Sequence, residues 1–256
     1  MPTAPDQLKF LASTFAVLTL LGCAPMDVKD IVEDTPNYLD KTFTAAQLPT
    51  EVRKQASSSH AAPRFRTIKI KFNYQVENSV GEKILSTTSN NLYKDLGNGL
   101  IQLFGQDANN DLVFSRYYGL TYAGAIELRA QMVLSNKKTA NFITEVKSYK
   151  TFASDIATAQ ENSIYDYDWN SGTAIQIAGY IERKKHCVTG KAFPASQLYA
   201  SLPGTAFDMD CELISNGSAS YRQHYVFLQQ YGLAVLMGST YANRKITDTI
   251  TSVEIQ

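Results

Sequence analysis

From Arg64 to the C-terminus the dominant hydrophobic period of this chain is two. In the run Ile68–Glu77 the apolar residues Ile68, Ile70, Phe72, Tyr74 and Val76 alternate with Lys69, Lys71, Asn73, Gln75 and Glu77. Successive side chains of a strand point to opposite faces, so this alternation predicts a strand with one face on a core and the other in water.

The same texture recurs between turn signals. Gly81 marks a turn before a strand over Lys83–Thr88, Gly97-Asn98-Gly99 precedes Leu100–Phe104, and the polar stretch Asp107–Asp111 precedes Leu112–Tyr118. Ala125–Leu134 and Asn141–Tyr149 flank Ser135–Lys138 as a hairpin, and Ile164–Trp169 and Ala174–Glu182 flank Asn170-Ser171-Gly172 as another. Pro194–Leu202 reads as a short helix stopped at Pro203-Gly204. Phe207–Ile214, Ser220–Tyr231, Leu233–Met237 and Lys245–Ile255 complete a meander, with Asn216-Gly217 its strongest hairpin signal. About ten short strands with local turns predict a mainly β fold: a single antiparallel sheet, curled into a half-barrel or paired into a sandwich, with one or two short helices.

The N-terminal region has a different composition. Residues 1–9 are a polar lead with Lys9 as the only cation, and Phe10–Leu21 is uncharged and rich in Leu, Ala, Val and Phe. A helix needs about 20 apolar residues to span a bilayer, so this run is too short to cross and fits the apolar region of a secretory signal. Leu20-Leu21-Gly22-Cys23 closes it. The stretch resembles the lipobox of bacterial lipoproteins. That resemblance covers residues 1 to about 24, and it implies cleavage before Cys23 and diacylglycerol on its sulfur. Ala24 stands where an aspartate would tend to hold an enteric lipoprotein in the inner membrane, so the resemblance further implies the outer membrane.

Three regions follow: a signal peptide over 1–22, a lipid-anchored tether over 23–63, and a β-rich domain over 64–256. The middle region is broken by Pro25, Pro36 and Pro49 and ends in Gln55–Pro63, rich in Ser and Ala. It reads as a leash with a short helix over Ala45–Ala56 interrupted near Pro49, or as a small structured docking segment. Lys and Arg number 24 and Asp and Glu 24. Cleavage removes one of each sign, Lys9 and Asp6, and a neutral chain without a basic stripe lacks the footprint of a nucleic-acid binder.

With Cys23 acylated, Cys187 and Cys211 are left as an even pair in an oxidising compartment, where a disulfide is expected. Closing that loop contributes roughly 3 to 4 kcal/mol through chain entropy.

Catalytic and ligand signatures are weak. Asp166 and Asp168 alternate with Tyr165, Tyr167 and Trp169, and Asp208, Asp210 and Glu212 alternate around Cys211. Such acids are either paired carboxylates for acid–base work or the solvated faces of strands. They lack the glycine-centred loop of a calcium site. His60, His186 and His224 do not form the recurring spacing that zinc requires, and neither a Gly-x-Ser-x-Gly elbow nor a Gly-x-x-x-x-Gly-Lys loop occurs. No catalytic residue, metal or cofactor is assigned. Tyrosine is the compositional excess, 15 against a single Trp. Tyr117, Tyr118, Tyr165 and Tyr167, with the spaced pair Tyr221 and Tyr225, are either an amphipathic recognition surface or the usual aromatics of strands.

The resulting expectation is an envelope lipoprotein held to the membrane through Cys23, acting as a non-catalytic module for an envelope protein, a glycan or an apolar ligand. A periplasmic hydrolase with a site assembled from distant residues is the alternative. A packed sheet with an exposed aromatic patch would favour protein contacts, a hollow one lined by aliphatic side chains would favour apolar cargo, and converging carboxylates would favour the enzyme.

Overall fold

Residues 67–255 form twelve antiparallel strands, each paired with its neighbours in the chain. In a computed structural model describing residues 26–57 and 62–256, these are β1 Thr67–Asn78, β2 Lys83–Asp95, β3 Leu100–Asn109, β4 Leu112–Tyr122, β5 Ile126–Leu134 and β6 Thr144–Thr151. β7 Ile164–Thr173, β8 Ile181–Pro194, β9 Thr205–Ser215, β10 Ser218–Leu228, β11 Leu233–Thr240 and β12 Arg244–Ile255 follow. The signal region 1–22, Cys23 and His60 lie outside the described residues.

The sheet closes on itself. β1 pairs with β12 from Ile68 opposite Ile255 to Asn78 opposite Arg244, so the expected half-barrel or sandwich is corrected to a closed barrel. The pairing joins the two ends of the domain, and no local pattern records a partner so distant in sequence. The strand boundaries change for a related reason. Asn170–Gly172 is not a turn but the end of β7, and the connection to β8 is Ala174–Tyr180. Nor is Pro194–Leu202 a helix: Pro194 is extended and ends β8, Ala195 N–H bonds the Gly204 carbonyl, and only Ala195–Gln197 makes a 3-10 turn.

Local chemistry sets the hairpins. Asn110-Asp111 and Asn216-Gly217 both take positive φ, the geometry that lets a two-residue turn match the twist of its strands. Two seams are thin. β5 and β6 pair only at Arg129–Glu145 and Ala130–Thr144, and β11 and β12 only from Gly238–Thr247 to Thr240–Lys245. At the second seam a Cβ on Gly238 would stand 2.5 Å from the Ile246 carbonyl oxygen, so glycine permits the close approach.

Residues 26–57 carry α1 Val28–Glu33, α2 Thr35–Thr42 and α3 Thr50–Ala56. The Asp27 side chain caps α1 by accepting from Lys29 N–H, and Pro49 directly precedes α3. Ile31, Leu39, Phe43, Val52 and Ala56 are buried in one cluster with Tyr118 and Leu120 of β4. Tyr38 meets the Tyr118 ring edge-on at 5.4 Å, and Gln102 donates to the Leu39 and Phe43 carbonyls. Each fully buried apolar side chain contributes about 1.5–3 kcal/mol, so from Val28 onward this stretch belongs to the folded body.

One end of the barrel is plugged. At the β4–β5 turn Ala123 and Gly124 take positive φ, Ala123 N–H donates to the Gly99 carbonyl, and the Ala123 carbonyl accepts from Ala234 N–H of β11. That turn meets the backbone edge of β11 at Ala234, where β12 leaves β11 unpaired. All turns that follow odd-numbered strands gather at the other end.

Candidate functional site

A cavity of about 630 Å³ runs from the odd-turn end down to Gly124 and Ala125 of the plug. Every strand of the barrel contributes to its wall. Tyr74, Tyr93, Tyr117, Trp169, Tyr221, Tyr225 and Tyr241 give it an aromatic lining, while Asp107, Glu127, Asp248, Asn91 and Gln223 supply polar groups.

The charged groups are placed asymmetrically. Lys185 of β8 is buried and donates to the Ala125 carbonyl at 2.6 Å and to the Tyr225 hydroxyl at 2.9 Å, with its amine 4.6 Å from that ring's centre. Burial pushes the amine down to about 7, against a smaller opposing pull from Glu127. The Tyr117 hydroxyl donates to Glu127 at 2.7 Å, and burial, reinforced by that carboxylate, holds the phenol well above its ordinary range. On the other side Asp248 is pushed up to about 7, first by burial and then by the charge of Asp107. Asp107 accepts from the Ser115 hydroxyl at 2.6 Å, whereas Asp248 Oδ1 is buried without a hydrogen-bond partner.

The thin β5–β6 seam borders this cavity and is bridged by charge. Buried Arg129 pairs with Glu145, and Lys147 reaches the same carboxylate at 2.8 Å and the Ala174 carbonyl at 3.0 Å. Arg129 also bonds the Gln47 carbonyl just ahead of α3, so the pair joins the seam to the helical segment.

The residues singled out in the sequence divide between wall, core and surface. Cys187 and Cys211 are joined by a disulfide, as register partners on β8 and β9 with Cα atoms 4.0 Å apart. Tyr117 lines the cavity, while Tyr118, Tyr165 and Tyr167 are buried in the packed core, so the four share no surface. Asp166 and Asp210 are exposed and bond His186 and His224 at 2.7 and 2.9 Å; Asp168 lies near Lys150 and Lys184. Asp166 and Asp210 thus stand on solvated strand faces, whereas Asp168 is half-buried. A second recess, about 600 Å³, includes His186, His224, Asp210 and Glu212. Among the described residues no group of three or more His, Cys, Asp or Glu side chains is arranged to hold a metal.

Asp107, Glu127, Lys185 and Asp248 were not among the residues singled out by sequence. Parity was the available signal. Lys185 shares the face of Cys187, and Asp248 falls between Ile246 and Ile250 on the apolar face of β12.

No family model matches the sequence. A comparison with curated proteins also finds no match. Among solved structures the chain is similar to a "Beta-barrel-like Protein of Domain of Unknown Function DUF1849" from Brucella abortus, at 11% identity and a TM-score of 0.44, over 76% of this chain and 100% of that one. It is also similar to the "hypothetical lipoprotein YmcC" from Escherichia coli K12, at 9% identity and a TM-score of 0.35, over 80% and 97% of the respective chains.

Proposed function

We propose that this protein is a lipid-anchored envelope module, held in the outer membrane through Cys23, that binds a segment of glycan in its barrel without transforming it. The tyrosine-lined cavity carries this reading. Its volume suits a small ligand. Sugar rings present C–H faces to aromatic rings and hydroxyls to carboxylates and amides, and this wall offers both, including the unpartnered Asp248 oxygen. A carrier of purely apolar cargo would leave such groups buried without partners, at a cost of about 1–3 kcal/mol each.

Trp169 lines the cavity and is the chain's single tryptophan, so binding has an intrinsic reporter. Oligosaccharides released from envelope polysaccharide should shift its emission saturably, and Tyr221→Ala should weaken that response. A response to an apolar dye alone, with none to any oligosaccharide, would sink the glycan reading. The anchor is tested separately: Cys23→Ser should release the protein from membranes and abolish lipid labelling.

Asp107 and Asp248 favour one second reading, a glycan hydrolase. Two carboxylates in one cavity, one of them raised to about 7 by burial and by its neighbour, are the kind of pair that general acid catalysis uses. Shortened oligosaccharides recovered from the titration, and their loss in Asp248→Asn, would establish it over simple binding.

A further inference from the structure

The open end of the barrel presents apolar side chains to solvent. Among the described residues most of the large hydrophobics that stand exposed lie in or next to the odd-numbered turns, with Ile164, Val188 and Ile255 as the exceptions. Val80 in the first such turn is 77% exposed, Leu112 beside the second 75%, and Ile177 in the fourth 90%, with Phe142 and Ile175 around half exposed.

The fourth turn is built to do this. Gln176 accepts from Thr173 N–H and donates to the Ala178 and Gly179 carbonyls, so the turn folds around its one long polar side chain and leaves Ile175 and Ile177 outside. A soluble surface ordinarily has the reverse arrangement.

The chain enters the fold at the same end. The Met26 carbonyl accepts from Ala140 N–H, Val28 N–H donates to the Lys138 carbonyl, and Asp27 bridges to Thr139, all within the β5–β6 connection. Residue 23 is three positions before Met26 and, whatever the path between them, lies no more than about 11 Å away. Lys137 and Lys138 are exposed beside this entry, where anionic headgroups would meet them.

We propose that the apolar rim formed by Val80, Leu112, Phe142, Ile175 and Ile177 docks on the lipid bilayer, so that the mouth of the cavity faces the membrane surface. The placement rests on the lipid-anchor reading of Cys23. Acyl chains tied within about 11 Å of Met26, at the same end of the barrel as the rim, bring that end to the interface, and its aliphatic side chains gain by entering the headgroup boundary.

The test uses the full chain in phosphatidylethanolamine–phosphatidylglycerol vesicles containing doxyl-labelled lipid. Ile177→Cys, labelled with an environment-sensitive fluorophore, is compared with Ile164→Cys at a distant exposed position; lipid labelling and flotation report the anchor independently. The expected result is a blue shift and loss of fluorescence at 177, with neither at 164. A protein that carries lipid and floats but shows no quenching at 177 overturns the docking and keeps the anchor. A blue shift without quenching assigns the rim to a second protein copy and also overturns it. Quenching at 177 without lipid on Cys23 keeps the docking and removes the anchor, while absence of both overturns both.

Discussion

Lys185 Nζ donates to the Ala125 carbonyl at 2.6 Å, so a side chain from β8 holds the β4–β5 turn from inside the barrel. Burial brings this amine from its ordinary 10.5 down to about 7. Above about 7 the folded chain has released the proton that the unfolded chain keeps up to 10.5, so stability attributable to this group rises with pH across that window. Melting curves of wild type and Lys185→Met should diverge accordingly, wild type gaining on the variant from neutral to alkaline pH. Parallel curves would show that the amine is not buried as described.

Asp248 has the opposite sign. Its carboxyl is raised from 3.8 to about 7, so the folded state holds a proton that the unfolded state has lost. The contribution is fully present below the unfolded value and is lost as pH rises through the folded one. The stability difference between wild type and Asp248→Asn should therefore fall between about pH 4 and 7. A flat difference would exclude the shift.

Gly124→Ala should be among the more damaging small substitutions in the barrel. Gly124 has φ +74°, and an added Cβ would fall on the Ala234 carbonyl oxygen. The left-handed conformation costs a side chain about 1–2 kcal/mol, and overpacking adds about 1–3 kcal/mol. Denaturant midpoints should register the loss, while Gly217→Ala, with positive φ but open space around it, should show only the smaller conformational part.

The buried Arg129–Glu145 pair should prove strongly coupled. Arg129→Met leaves Glu145 with Lys147 alone and should cost about 3–5 kcal/mol, whereas adding Glu145→Leu should recover part of that loss. A double-mutant cycle by chemical denaturation would read the coupling; additivity would mean that the β5–β6 seam does not depend on this pair.

Alternation made the β class legible from β1, where Ile68, Ile70 and Phe72 are all buried. Asn216-Gly217 likewise marked its turn correctly, because positive φ leaves few residue choices. Closure was not legible, since the β1–β12 partnership is written in no local stretch. Ser171 and Thr173 extend β7 beyond the turn suggested by Asn170–Gly172, because strand pairing with β6 and β8 outweighs glycine's preference for turns. The cavity's aromatic character was half visible: the tyrosine excess was plain, but Tyr117 and Tyr118 are adjacent and alternate parity sends one into the lumen and the other under the helices. The catalytic-looking acids on the surface were conspicuous because they cluster in sequence. Asp107 and Asp248, which are far apart in sequence and lie on β3 and β12 with β1 and β2 between them, had no such cue.

The plug formed by Ala123 and Gly124 also decides the direction of traffic. Among the described residues one end is closed by a turn bonded to the opposite wall, so the cavity opens toward the end where the turns after odd-numbered strands gather. The molecule is thus shaped as a receptacle rather than a conduit. For the glycan binding proposed above, uptake and release would then share one threshold, and a bound segment would shield the site from a rival until it left.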